Sequence, residues 1–77
     1  MTDLPIVLVE WDDSQSSAAM VWEDRDAEAL DAARVKTVGF LVRDDGKGVE
    51  LVMGYHEDEQ CGRWFIPRGC IVKVTHL

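Results

Sequence analysis

The segment LPIVLVEW (4–11) is apolar at nearly every position, rich in β-branched residues, and closed by Asp12 and Asp13, which predicts a β-strand. Residues of both parities are apolar over much of it, so both faces of this strand need cover, either from a central place in the sheet or from another element. DSQSS (13–17) is a loop, because Asp and Ser side chains compete for nearby backbone groups. AAMVWED (18–24) reads as a short strand carrying Val21 and Trp22, in preference to a helical turn. DRDAEALDAAR (24–34) has acids in its first turn, four alanines and Arg34 near its end, which predicts a helix over 25–34. A helix this short is marginal alone, so Ala27, Leu30 and either Ala33 or the stem of Arg34 are expected to dock on a sheet.

The second half alternates more clearly. VKTVGFLVR (35–43), DDGKG and VELVMGY (49–55) predict a β-hairpin, with Asp45-Gly46 and Gly48 supplying positive-φ positions and Val38, Phe40 and Val42 on one face. Gly39 inside the first strand marks a bulge or a close approach by a neighbour. HEDEQCG (56–62) reads as a charged loop. RWFIPRGCIVKV (63–74) reads as two short strands separated at Pro67-Arg68-Gly69, where proline lacks a ladder donor and glycine tolerates a reversal, so that Cys70, Val72 and Val74 begin a new strand. The expected fold class is mainly β (α+β): a small, strongly bent antiparallel sheet or a partly open five-stranded barrel, with one short helix near residues 25–34.

Size and composition narrow the picture. The 77 residues make one domain, 1–77, which at this length buries only about 60% of its unfolded surface, so self-association is an expected source of stability. With 47% hydrophobic and 30% charged residues the chain is ordinary for a globular domain. No run approaches a membrane span, and the opening MTDLPIVLVEWDD lacks the basic start of a signal peptide, which points to the cytoplasm and away from membranes. Cys61 and Cys70 are too few for a disulfide framework and lack C-x-x-C spacing, so reduced thiols are expected.

Charge is unevenly spread. Of a formal net charge of −7, residues 1–31 hold nine acids against Arg25 alone, while residues 32–77 hold six acids and seven bases. A chain that tracks phosphates needs clustered Lys and Arg, so general nucleic-acid binding is disfavoured. The acidic stretch is either a solvated face or a lure for a basic partner.

The ordered features VEWDDSQSS, Trp22, VKTVGFLVRDD, ELVMG and IPRGCIVKVTHL resemble an uncharacterised family of small tailed-phage and prophage accessory proteins over nearly the whole chain, through W-x-D-S, VGFL and IPRxxI segments in that order. That family tends to place Gly-Trp after the serine loop, where this chain has Val21-Trp22, which leaves the shape of the loop open. The resemblance implies a phage-borne accessory role and, if so, the cytosol of a host cell. Residues 35–77, VGFLVRDDGKGVELVMG followed by IPRGCIVKV, are also similar in layout to the Sm-like small barrel, whose members form rings and bind RNA. The acidic balance and the lack of a basic-aromatic RNA pocket speak against carrying over that activity, so the likeness implies architecture only.

Candidate chemistry is sparse. Ser14, Ser16 and Ser17 lie near acids, and His56 and His76 are available bases, but no motif places a nucleophile on a strained elbow; Asp12-Asp13 and Asp44-Asp45 are neighbours that point to opposite faces of a strand. No catalytic residue is assigned. His56, Cys61, Cys70 and His76 have the donor types of a zinc site without finger spacing, and no metal or other cofactor is expected. Trp11, Ser14, Ser16, Ser17 and Trp22, with Arg43 and Arg68, have the inventory of a nucleotide site: indole faces to stack on a base, hydroxyls for ribose or phosphate, guanidinium for phosphate. The competing reading makes both tryptophans core or interface anchors. The functional expectation is a non-enzymatic phage-type accessory protein, homo-oligomeric, that binds a small nucleotide and so sequesters a host defence signal. The alternatives are an acidic module that covers a basic surface of a host or phage protein, and an Sm-like structural or RNA-binding ring.

Overall fold

The computed structural model describes residues 3–16 and 22–77. Seven strands are present among them: β1 (Ile6–Asp13), β2 (Ala33–Asp45), β3 (Gly48–Val52), β4 (Gly54–His56), β5 (Glu59–Cys61), β6 (Trp64–Pro67) and β7 (Ile71–His76). Five of them form one antiparallel sheet in the order β6-β3-β2-β1-β7, and β4 pairs with β5 in a separate ribbon. The edge strands β6 and β7 do not pair with each other, so the sheet is open, not closed into a barrel.

The two-sided hydrophobicity of β1 agrees with its place between β2 and β7. Val7, Val9 and Trp11 enter the core with Val49, Leu51 and Ile66, and Val35, Leu41, Cys70, Ile71 and Val74 pack against this cluster. The opposite parity, Ile6, Leu8, Glu10 and Asp12, pairs with Phe40, Val38, Lys36 and Arg34 on the outer face. That face has less cover, and Ile6 and Val38 remain exposed.

Gly39 marks a close approach, the second of the two expected explanations. A Cβ there would lie 3.1 Å from Leu51 Cβ and 3.2 Å from Val52 O, so its absence lets β3 fold tightly across β2. A bulge does occur, but between Leu41 and Arg43: Leu41 pairs with Leu51 and Arg43 with Glu50, which leaves Val42 without a partner. Val42 therefore drops out of the Val38–Phe40 row, and Arg43 takes the place opposite Glu50.

The β2–β3 turn is built by Asp45, whose Oδ1 accepts the backbone N–H groups of Lys47 (2.9 Å) and Gly48 (3.3 Å). Gly48 sits at φ +155°, but Gly46 is not at positive φ, because the side chain of Asp45 organises the turn that Gly46 was expected to shape. These two bonds hold the Asp45 carboxyl below the usual carboxylate range.

Several expectations are corrected. Residues 25–34 form no helix: 24–27 make one turn closed by Ala27 N–H to Asp24 O at 3.0 Å, 28–32 are irregular, and β2 already begins at Ala33. Helix propensity loses here because residues 22–32 are all exposed, so no apolar face is buried to offset the cost of nucleating a short helix. The strand expected over 18–24 is absent at 22–24, and the rest of it lies outside the described residues. HEDEQCG is not a loop but the tip and return strand of the β4–β5 ribbon, turned at Glu57-Asp58 with Glu57 at φ 52°. Met53 N–H donates to both Cys61 O (3.0 Å) and Gly62 O (3.2 Å), so the ribbon continues the β3–β6 pair past a kink. The helical element that exists, a 3-10 turn at Arg68–Cys70, occupies the predicted Pro67-Arg68-Gly69 break. Among the described residues no helix is long and apolar enough to cross a membrane.

Candidate functional site

The residues singled out from sequence do not converge. Trp11 is a core side chain, 8% exposed, whose indole N–H donates to Thr37 Oγ1 at 2.9 Å. Its face is packed in the interior, and it pairs with Val35 and Ile71 at the start of β2 and of β7. Ser14 and Ser16 follow β1 and are exposed, with Ser14 N–H bonded to Asp13 Oδ1 at 2.9 Å; Ser17 lies outside the described residues. Trp22 is fully exposed. Arg43 and Arg68 are at the far end of β2, by the β2–β3 turn.

Arg68 ties this turn to the last part of the chain. Its backbone N–H bonds Lys47 O at 3.0 Å, its Nη2 donates to Asp45 O at 2.6 Å, and it forms an ion pair with the carboxylate of Asp44. A guanidinium so engaged fastens the 3-10 turn to the hairpin.

Arg43 belongs to a different group that the register assembles. Arg43 on β2, Glu50 on β3 and Phe65 on β6 lie in one cross-strand row of the outer face. The Glu50 side chain is only 11% exposed and is held between Arg43 Nη2 (3.5 Å) and Arg63 Nε (3.1 Å). Arg43 also reaches over the Phe65 ring, 5.5 Å from its centroid, within cation–π range. Glu50, Arg63, Trp64 and Phe65 line an open groove of about 240 Å³ at the β6 edge. Trp64 and Phe65 are each about half-exposed but on opposite faces of β6, Phe65 opposite Glu50 and Trp64 opposite the core residue Leu51. Arg63 spends its Nε on Glu50, and among the described residues its two Nη groups have no acceptor. Arg43 also pairs with Asp45 at 3.5 Å, so two arginines and two carboxylates balance at this end of the sheet.

Sequence reasoning missed Glu50, Arg63, Trp64 and Phe65. RWF was legible as a motif, with a cation beside two aromatics, but its relation to Glu50 depends on the β3–β6 register and that of Arg43 on the bulge at Val42.

The ribbon has a smaller pocket of about 110 Å³, lined by Gly54, Tyr55, His56, Glu59, Gln60 and Cys61. Tyr55 meets Phe40 edge-on at 5.1 Å and its hydroxyl accepts Leu4 N–H at 3.0 Å, which anchors the ribbon on the sheet. Cys61 and Cys70 are free thiols, one on the ribbon and the other against the core. Among the described residues no three His, Cys, Asp or Glu side chains gather as a metal site. No protein-family model, no curated protein and no solved structure matches the chain.

Proposed function

We propose that the chain is a non-enzymatic binding module whose contact surface is the arginine–aromatic groove at the β6 edge. The observation that carries this reading is the half-exposed Phe65 in one groove with Arg63, whose Nη groups have no acceptor among the described residues. A ligand suited to the pair has a planar group to stack on the phenyl ring and an anionic group to take bidentate hydrogen bonds, and a small nucleotide has both. This keeps the nucleotide expectation but moves it from the serine loop to β6. The groove, at about 240 Å³, is smaller than the roughly 300–1,000 Å³ of pockets that enclose a ligand, so one copy would hold a nucleotide only in part. That supports a homo-oligomer, in which a neighbouring copy completes the enclosure. In the phage accessory role that the sequence resemblance implies, such a protein acts by sequestering a host nucleotide signal.

Titration calorimetry against mono-, di- and cyclic nucleotides tests the reading. Binding to at least one, weakened tenfold or more by Phe65→Ala and by Arg63→Gln, is the expected outcome. No heat with any member of the panel would overturn it.

A second reading, the acidic interaction module, is favoured by the exposure of every residue from 22 to 32, five of them acids. Charge-led association of this kind weakens steeply with salt, whereas stacking in the groove does so much less.

A further inference from the structure

The sheet is open, so β6 and β7 each present one side of their backbone to water. Bonds at the two ends of β6 fix which residues do so. Arg68 N–H donates to Lys47 O and Met53 N–H to Gly62 O, so residues 62, 64, 66 and 68 turn their backbone groups toward β3, and Arg63, Phe65 and Pro67 turn theirs outward. On β7, Leu77 N–H donates to Ile6 O, which by the same alternation leaves Val74 and His76 outward. The two edges differ in what surrounds these groups. β7 carries Lys73, and a lysine on an edge strand discourages pairing. At the β6 edge stand Arg63, Trp64 (54% exposed), Phe65 (45% exposed) and, beside Gly62, Met53 (75% exposed), residue types enriched where proteins meet. Trp64 and Phe65 are half-bare on opposite faces, so one partner covers both only by extending the sheet as a further strand.

We infer that β6 pairs antiparallel with β6 of a second copy across a two-fold axis at Phe65. In that register Phe65 exchanges both backbone bonds with its mate, and Arg63 N–H meets the carbonyl of the partner's Pro67, so the proline loses only the bond it would have returned. The two Phe65 rings stand side by side on the outer face, and each Trp64 faces the partner's Ile66 on the core face, which joins two small cores. The edge itself specifies a second copy as the occupant. A strand laid antiparallel on its own copy is related to it by a two-fold, so the same residues serve as donor and acceptor on both sides. Charge agrees: the chain is −7, but residues 60–77 contain no Asp or Glu, and Arg63 and Arg68 are paired with Glu50 and Asp44, so two copies meet with least repulsion here. The two Arg63 side chains are offset by about 13 Å along the paired strands and do not oppose each other. The pairing supplies the neighbouring copy that the groove reading calls for, but it stands on the β6 backbone and needs no nucleotide.

Sedimentation of the full chain from about 10 μM to 1 mM, with hydrogen exchange read residue by residue at both ends of that range, tests the inference. A closed dimer with no larger species is expected, and it should hold or tighten from about 20 to 500 mM salt, because salt screens the −7 of each copy. The outward amides of Arg63 and Phe65 should exchange at least tenfold more slowly at the high concentration, while that of Val74 on β7 stays fast at both. Phe65→Ala, which keeps the N–H, should weaken the dimer at least tenfold. Phe65→Pro, which also removes an N–H that β3 does not use, should abolish it, with urea midpoints showing that both variants fold. A chain that stays monomeric at the high concentration overturns the inference, as does a dimer that survives Phe65→Pro or one in which the β7 amides slow and the β6 amides do not. Nucleotide binding by a chain that stays monomeric sinks the two-fold pairing alone, and a dimer that binds no nucleotide of the panel sinks the groove reading alone.

Discussion

Two glycines two residues apart, Gly46 and Gly48, give a sharp test of how the β2–β3 hairpin is held. A Cβ built on Gly46 meets nothing within 4 Å, whereas one on Gly48 falls inside contact of the Ile66 carbonyl oxygen, with Ile66 C at 3.1 Å and Phe65 Cζ at 2.8 Å. Gly48 is also at φ +155°, where an L side chain costs about 1–3 kcal/mol. Relief of the clash needs β3 and β6 to separate, but Ile66 is fully buried in the core and cannot follow without repacking, a further ~1–3 kcal/mol. Gly48→Ala is thus expected to destabilise by about 2–6 kcal/mol. Gly46→Ala is expected to be neutral or to stabilise by up to about 1 kcal/mol, because it only narrows the unfolded ensemble. With an m-value near 1 kcal/mol/M for so small a domain, the urea midpoints of the two variants should differ by about 2 M or more. Midpoints within 0.5 M of each other would refute the claim that the approach of Ile66 fixes this position as glycine.

Two other perturbations probe the same end of the sheet. Glu50→Gln removes the carboxylate shared by Arg43 and Arg63, so stability should fall by about 1–2 kcal/mol, kept modest by the exposure of both arginines, while affinity for an anionic nucleotide should rise; urea melts and calorimetry on one preparation check both signs. Asp45 has a folded-state pKa lowered mainly by the Lys47 N–H, so it contributes stability above the ordinary carboxylate pKa and loses it as pH falls through the lowered value. Asp45→Asn should therefore be less stable than wild type at pH 7 and should lose less on going from pH 5 to pH 2, and parallel stability–pH curves from thermal melts would contradict this.

How far the fold was legible depends on where burial and local pattern agree. The β1 run, the β2–β3 hairpin and the Pro67 break were all readable, because each combines β-branched residues with turn chemistry that specifies a boundary. The helix failed for the reason that propensity is a weak prior: DRDAEALDAAR has helical composition, but no part of the sheet covers Ala27 or Leu30. The ribbon failed because HEDEQCG looks like a solvated loop, and its strands are kept by Tyr55 on Phe40 and by the shared Met53 N–H, contacts that sequence spacing does not reveal.

The candidate site was less legible because charge was read by stretch when it acts by pair. Residues 32–77 looked nearly balanced, with seven bases as possible contacts, yet its arginines have definite partners once the strands are in register: Arg34 with Asp12 across β1–β2, Arg68 with Asp44, Arg43 with Asp45 and Glu50, and Arg63 with Glu50. Arg34 shows the consequence for pKa, raised first by its hydrogen bond to Asp12. Arg68, chosen as a ligand contact, is committed to the hairpin, while Arg63, not chosen, keeps donors to spare. A one-residue bulge decides the difference at the groove. With regular pairing Val42 would face Glu50 and the carboxylate would lose one of its two cations; the skipped residue brings Arg43 there instead. Deleting Val42 should therefore leave the Arg43–Glu50 pair in place, since it shortens β2 to regular register, whereas Val42→Ala should leave the groove's affinity unchanged.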